Sequence, residues 1–263
     1  METHFRPSRR SILAGTAAVA VGAMLPRLAL GNTGAWSRVD DAMAILDGRD
    51  PIAQGVVLDL PLISENGAVV PLGISIDRPM AEDEYVQAIH VFAPANPFPH
   101  IASFRYPNAR STPRLETRVR LNESQPVVVL AELSSGAVLV GESEVRVTVS
   151  GCLTMSDTYD TESVFQTRVR VEPGAPTSVL TLINHPQETG LRTNAQGEII
   201  PKRLIEKLEA RIGDELVFEA DLHRSISANP YLRFYIQPDA PGTLDLVWTE
   251  DTGETAEFSQ DVA

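Results

Sequence analysis

The sequence contains a single cysteine, Cys152, among 263 residues. One cysteine cannot form a disulfide within its own chain, and without a cysteine cluster there is no thiolate set for structural zinc or an iron–sulfur centre. The thiol is therefore a buried inert side chain, the partner in an intermolecular crosslink, or a free reactive group.

Basic residues are scarce. Lys and Arg number 22 against 35 Asp and Glu, which gives a formal charge of −13. Without residues 1–31 the balance is 18 basic against 34 acidic side chains, a charge of −16. This charge argues against nucleic acid or an anionic membrane as a partner and is compatible with basic protein partners.

Several catalytic patterns are also missing. The chain has no glycine-rich phosphate-binding motif, and His90, His100, His185 and His223 are not at metal-ligand spacing. No base lies near a Ser or Cys nucleophile in a recognisable pattern. We therefore expect no metal site, and we interpret His90 and His100, which fall on predicted strands, as structural or surface residues.

The N-terminus has the features of an export signal. Ser8-Arg9-Arg10-Ser11-Ile12-Leu13 fits the twin-arginine pattern, an Ala- and Gly-rich apolar run follows to Leu25, and Ala29-Leu30-Gly31 offers small residues for cleavage. The alternative, an uncleaved membrane anchor, is disfavoured because the run is too short to cross a bilayer comfortably. We predict a signal peptide at residues 1–31 and periplasmic localisation.

Short β-strands dominate the rest. After one amphipathic helix at residues 35–48, with Val39, Met43, Ala44 and Leu46 on its apolar side, β-branched and partly alternating segments are separated by turn residues such as Asn66-Gly67. Eight such segments before residue 150 predict an antiparallel sandwich. A second strand-rich block follows from about residue 164. Residues 201–212 favour a helix by local composition, since Pro201 precedes leucines at a spacing of four.

Cys152 lies between the two blocks. A strand with alternating Val145, Val147 and Val149 breaks at Ser150-Gly151, and a polar segment follows the cysteine. A cysteine that follows the end of a strand and has polar sequence neighbours is not typical of a hydrophobic core, so we expect an exposed thiol. The acidic residues at 157, 160 and 162 disfavour a low thiol pKa, which suits a carrier better than an activated nucleophile.

From Phe165 onward the sequence resembles SoxZ of the bacterial thiosulfate-oxidising system. The motifs that carry this resemblance are Leu182-Ile-Asn-His185-Pro186-Gln-Glu188-Thr189-Gly190-Leu-Arg192, Phe218-Glu-Ala-Asp221-Leu222 and Ser227-Ala-Asn229-Pro230-Tyr231-Leu232. The preceding half resembles SoxY, in Leu60-Pro61, Glu65-Asn66-Gly67, Asn96-Pro97-Phe98-Pro99 and the strand that runs into Gly151-Cys152. The chain thus looks like a SoxY–SoxZ fusion.

The resemblance implies an all-β protein with two immunoglobulin-like antiparallel sandwiches in tandem and a short N-terminal helix. The implied domains are a SoxY-like sandwich at residues 32–152, a linker at 153–163 and a SoxZ-like sandwich at 164–263, packed on each other with separate sheets. It also makes residues 205–212 a strand, and we adopt that prediction over the local helix signal.

By the same resemblance, Cys152 is the residue that holds sulfur intermediates covalently, and the protein is a carrier or accessory protein with no cofactor other than a covalent sulfur adduct on Cys152. Ser150 and Gly151 are expected to give its arm flexibility. The family has four glycines around this cysteine, whereas here only Gly151 is present and a second domain follows.

Two functions therefore stay open. The first is a periplasmic carrier that presents cargo to Sox-type enzymes; the second is a non-catalytic accessory module for a periplasmic quinoprotein (PQQ-type) dehydrogenase, because SoxYZ-like fusions of that group look similar. A disulfide-linked homodimer through Cys152 is a further expected partner state. The loop with His185, Glu188, Gly190 and Arg192 is either a structural turn or a surface that docks a partner.

Overall fold

The computed structural model describes residues 34–109, 111–151, 163–238 and 240–262. The predicted signal peptide, Cys152 and most of the predicted linker lie outside these residues. In the described part, helical structure consists of a 3₁₀ turn at Ala35–Arg38 and helix α1 at Asp40–Leu46, and no helix is long and apolar enough to cross a membrane.

All other regular elements are strands. Those of the first half are β1 (Val56–Asp59), β2 (Ile63–Ser64), β3 (Val70–Ile76), β4 (Val86–Phe92), β5 (His100–Arg105), β6 (Ser111–Val119), β7 (Gln125–Leu133) and β8 (Val138–Val147). Those of the second half are β9 (Thr167–Glu172), β10 (Thr177–Ile183), β11 (Ile205–Ile212), β12 (Glu215–Leu222), β13 (Tyr231–Ile236), β14 (Gly242–Glu250) and β15 (Thr255–Val262). The predicted all-β class is confirmed, and so is the strand at residues 205–212.

Each half contributes strands to two facing sheets, as in an immunoglobulin-like sandwich. The six-stranded sheet has the order β1-β3-β6-β13-β10-β9, and the nine-stranded sheet has the order β15-β14-β11-β12-β5-β4-β7-β8-β2. Pairing between these strands is antiparallel except between the two-residue strand β2 and β8, and an isolated parallel bridge joins Ile52 to Leu139. The inward-facing side chains form one core that includes Phe104, Phe218, Phe234 and Trp248.

The two halves are joined edge to edge. Strand β6 pairs with β13 and β5 pairs with β12, so both sheets run continuously from one half into the other. The expectation of two sandwiches with separate sheets, packed on each other, is wrong in this respect. Pairing the edges satisfies backbone groups that two independent sandwiches would leave exposed.

The N-terminal helical segment covers the outer side of the nine-stranded sheet. Val39, Ala42 and Leu46 are buried against Phe92 and Val128, which point away from the main core. This second apolar layer explains why β4 and β7 are apolar on both faces. The predicted apolar side of the helix was partly wrong, because Met43 and Ala44 are exposed and Ala42 takes the buried position between Val39 and Leu46.

Candidate functional site

The last described residues before Cys152 are held where three backbone segments meet. Strand β8 is followed by Val149, whose carbonyl accepts a hydrogen bond from the Gly67 N–H at 2.8 Å. The Gly151 N–H donates to the Leu121 carbonyl at 3.0 Å, and the Leu121 N–H donates to the Gly67 carbonyl at 2.8 Å. We call Gly67, Leu121, Asn122, Ser150 and Gly151 the strand-exit site.

Close contacts between backbone segments leave no room for a Cβ atom at either glycine of the strand-exit site. A Cβ atom at Gly151 would lie 1.8 Å from the Gly67 carbonyl oxygen, and one at Gly67 would lie 2.4 Å from the Leu121 carbonyl oxygen. Ser150 is also held, because its hydroxyl donates to Asn122 Oδ1 at 2.9 Å. In the structure Ser150 and Gly151 anchor the chain directly before Cys152, while the flexibility expected of these two residues stays a prediction.

A buried polar network connects the strand-exit site to the second half. Asn122 N–H donates to Asn96 Oδ1 at 2.9 Å, and Asn96 Nδ2 donates to the Ser225 hydroxyl at 3.0 Å. Arg120 N–H donates to the Ser225 carbonyl at 2.7 Å, and the almost fully buried Arg120 guanidinium donates to the Pro186 carbonyl at 3.3 Å. The strand-exit site is therefore fixed relative to both sandwiches.

Exposed aliphatic side chains lie along β2 and the end of β8, ahead of the strand-exit site. Leu62 is 81% exposed, Ile63 59% and Val149 51%, and β2 is the last strand of its sheet. The Arg146 N–H donates to the Leu62 carbonyl, which fixes these residues beside the end of β8. Clustered exposed aliphatic side chains are typical of surfaces that bind other proteins.

The loop that begins at His185 starts with a buried structural turn. His185 is fully buried, with Nε2 2.8 Å from Glu250 Oε1, and Glu188 is 5% exposed and forms a 2.6 Å ion pair with Arg192. Gly190 has a φ of +75°, which favours glycine. His185 and Glu188 are buried and offer almost no side-chain surface to a partner. Gly190 and Arg192 are partly exposed, so docking through these two residues stays a prediction.

Glu250 is the acceptor at the centre of this turn. Besides His185, the Nε of Arg203 donates to Glu250 Oε1 at 2.6 Å and the Thr252 hydroxyl donates to Glu250 Oε2 at 2.5 Å. Burial would raise the pKa of this carboxyl, but the hydrogen bonds from Thr252, His185 and Arg203 outweigh it and lower the pKa. Burial lowers the pKa of His185.

Three histidines gather where the two halves meet. The His100 and His223 rings have centroids 4.4 Å apart, and the Ser103 hydroxyl lies 2.7 Å from His90 Nδ1 and 3.0 Å from His100 Nε2. Burial, followed by the neighbouring His223 and His90, lowers the pKa of His100 to about 4. Burial also lowers the pKa of His223.

The histidine pair lines a cavity of about 270 Å³, together with Asp41 of α1 and with Phe98, Lys202, Glu206 and Arg224. Across the described ranges, no group of three or more His, Cys, Asp or Glu side chains is arranged to hold a metal ion. Sequence reasoning treated these histidines singly and missed their cluster, because residues 100 and 223 are brought together only by the β5–β12 pairing.

The strand-exit site leads directly to Cys152, the only cysteine of the chain. Comparison with family models relates both halves of the chain to known proteins. The model described as sulfur oxidation protein SoxY matches residues 42–152, and the model described as sulphur oxidation protein SoxZ matches residues 167–261. Together they match more than half of the chain, which therefore belongs to these families as a SoxY–SoxZ fusion.

Solved structures give more distant likenesses. The sulfur carrier protein SoxY from Chlorobium limicola f thiosulfatophilum is 32% identical, over 43% of this chain and 98% of its own, with a TM-score of 0.36. A superoxide reductase (neelaredoxin) from Ignicoccus hospitalis is 11% identical, over 36% of this chain and 80% of its own, with a TM-score of 0.32. No curated protein matches the sequence. Both TM-scores are below 0.5, so the assignment rests on the two family models.

Proposed function

We propose that this protein is a periplasmic carrier that holds a sulfur intermediate covalently on Cys152 and presents it to partner enzymes. The observation that carries the proposal is that the SoxY match ends on Cys152, the only cysteine of the chain, directly after the anchored Ser150 and Gly151. The anchor fixes the point from which the thiol is presented.

Loading of the thiol is an oxidation. When the terminal sulfur of thiosulfate joins the Cys152 sulfur, one S–S bond forms, the thiol proton is released and two electrons must leave. The described residues offer no redox centre for these electrons, so the proposal includes an electron-accepting partner enzyme. The exposed Leu62, Ile63 and Val149 beside the strand-exit site would lie under a partner that reaches Cys152.

The test is the intact mass of protein purified from the periplasm, before and after treatment with a reductant. We expect a reductant-labile adduct on the parent and none on Cys152→Ser, whose unfolding free energy should stay within about 0.5 kcal/mol of the parent for a surface thiol. Because no other cysteine exists, every labile adduct is assigned to one atom.

The second function, an accessory module for a quinoprotein dehydrogenase, is favoured by the departure from the family's glycine-rich arm, since only Gly151 is present and it is anchored. Thiol labelling separates the two functions. If Cys152 of the folded protein reacts with a maleimide only after denaturation, and no adduct is found, the carrier proposal fails and the accessory function takes its place.

Export by the twin-arginine route is part of the proposal and is supported by Arg9-Arg10 ahead of the apolar run. Changing both residues to lysine should leave the precursor in the cytoplasm, as measured by cell fractionation. Normal periplasmic recovery of this variant would show that another route exports the protein.

A further inference from the structure

The outer surface of the six-stranded sheet is rich in arginine and tyrosine. Strands β6, β9 and β13 place these side chains there because alternate residues of each strand face outward: in β6, Leu115, Thr117 and Val119 are buried, whereas Arg114, Glu116 and Arg118 are not. We call this surface the arginine face, and it consists of Arg114, Glu116, Arg118, Arg168, Arg170, Tyr231, Arg233 and Tyr235.

The strand register makes these residues neighbours across both halves. Leu182 is opposite Arg168 on one side and Tyr231 on the other, while Leu180 is opposite both Arg170 and Arg233. Arg233 in turn is opposite Glu116 of the first half. With strands about 4.8 Å apart, the surface from β9 to β6 is roughly 14 Å across.

Some residues of the arginine face belong to a short sequence repeat. Thr117-Arg118-Val119-Arg120 of the first half is matched by Thr167-Arg168-Val169-Arg170 of the second. Arg118, Arg168 and Arg170 lie on the arginine face, whereas Arg120 is buried past the end of β6. Neither the carrier function nor the buried loop accounts for these exposed arginines.

The charge of the face opposes that of the whole chain. The face carries five arginines and the carboxylate of Glu116, with Asp59 and Glu172 at its borders, whereas the chain as a whole has a formal charge of −13. The side chains of Arg114 and Arg170 are 56% and 74% exposed. No described carboxylate lies within ion-pair distance of Arg118 or Arg168, so these two charges are not neutralised by a neighbour in the described chain.

Two of the arginines are also held in position. The guanidinium of Arg114 lies 4.8 Å from the centre of the Tyr235 ring, and that of Arg118 lies 4.8 Å from the centre of the Tyr231 ring. Stacking on a ring leaves the hydrogen-bonding edge of a guanidinium directed outward and reduces the entropy lost when it binds a carboxylate. Arginine and tyrosine are the residue types enriched among those that dominate protein interfaces.

We propose that the arginine face binds an acidic surface of a partner protein. Guanidinium groups bind carboxylates through two parallel hydrogen bonds, and the face offers several of them in fixed rows. An anionic membrane or a nucleic acid is a poorer match, because the acidic remainder of this chain would be repelled by an extended negative surface. Since the rows cross the junction, the face exists only where both halves are paired. The proposal does not depend on the reactivity of Cys152.

The experiment compares two triple variants of the full mature chain that have the same net charge. Arg118→Gln, Arg168→Gln and Arg170→Gln together remove charge from the face; Arg38→Gln, Arg146→Gln and Arg211→Gln remove it elsewhere. The probe is poly-L-glutamate, and its dissociation constant is measured by calorimetry at low and moderate salt, with circular dichroism to establish that each variant is folded. We expect binding to weaken about tenfold in the face variant and less than about twofold in the control.

Equal weakening in the two triple variants would overturn the proposal, because it would show an effect of net charge alone. So would parent protein that does not bind poly-L-glutamate, or that binds vesicles containing phosphatidylserine more tightly than the polypeptide. Sedimentation measures the oligomeric state of the parent and of the face variant. A dimeric parent and a monomeric face variant would show that the face binds a second copy of this chain, which would also overturn the proposal.

Discussion

At the scale of single residues, the most constrained position of the candidate site is Gly151. From the sequence, we expect Gly151 to give the backbone conformational freedom. In the structure, its lack of a side chain allows two backbone segments to come into contact. The difference could not be predicted locally, because the contacting residue, Gly67, is distant in sequence. The Asn66-Gly67 turn itself is visible in the sequence, and only its contact with the strand exit is not.

Gly151→Ala should therefore destabilise the fold by about 2–3 kcal/mol, the upper part of the range for an overpacked site. The added Cβ atom would lie 1.8 Å from the Gly67 carbonyl oxygen, so the strand exit must shift. Denaturant unfolding measures the change. Gly197→Ala is the matched control, since its Cβ has open space and only the positive φ of +83° is unfavourable, which costs about 1 kcal/mol. Equal or smaller loss in Gly151→Ala would contradict the described contact.

At the scale of elements, strand positions follow closely from β-branched alternation and turn residues. The β-branched runs predict strands at residues 86–92, 177–183 and 231–236, and β4, β10 and β13 have these bounds. Two further strands, predicted at residues 137–140 and 144–149, are one continuous strand in the structure, β8. Residues 205–212 show where local composition fails. Leu204, Leu208 and Ile212 at a spacing of four suggest a helix. In the structure this segment is a strand paired on both sides, and its Leu208 and Ala210 face the core. Pairing with two neighbours outweighs helix propensity.

The loop after β10 is the element whose role the sequence left open. Because Glu250 accepts hydrogen bonds from His185, Arg203 and Thr252 in a buried setting, Glu250→Ala should lower the unfolding free energy by about 3 kcal/mol. Thermal or denaturant unfolding measures this loss. The exposed neighbour variant Glu254→Ala is the control and should change stability by less than about 1 kcal/mol. If both variants unfolded alike, the loop would not be the structural unit that its burial indicates.

At the scale of the whole molecule, the edge-to-edge union of the two halves is the feature that sequence patterns could not supply. Alternation predicts which side of a strand is buried, but it does not specify which edges pair. The β6–β13 and β5–β12 pairings create the junction where His100 of the first half meets His223 of the second. Both imidazoles are partly buried, and α1 adds Asp41, 3.6 Å from His100 Nδ1.

This junction predicts acid sensitivity. His100, with a pKa of about 4, and His185 and His223, whose pKa values burial also lowers, bind protons less readily in the folded chain than at the ordinary value of 6.5 in the unfolded chain. The unfolded state therefore takes up more protons as the pH falls below 6.5, and the unfolding free energy decreases from 6.5 towards 4. His100 alone contributes up to about 3 kcal/mol of this decrease. The depressed pKa values of Glu132 and Glu250 extend the loss below pH 4.5.

The measurement is denaturant unfolding at a series of pH values between 7.5 and 4 for the parent and for His100→Gln, which keeps a polar side chain near Ser103 and cannot titrate. We expect the parent to lose stability steadily below about pH 6.5. The variant should show a shallower slope, even if it is less stable at pH 7.5, because the slope reports proton uptake and not packing. Identical slopes for parent and variant would show that His100 does not couple folding to protonation. The decrease in unfolding free energy at low pH would then come from the other buried groups.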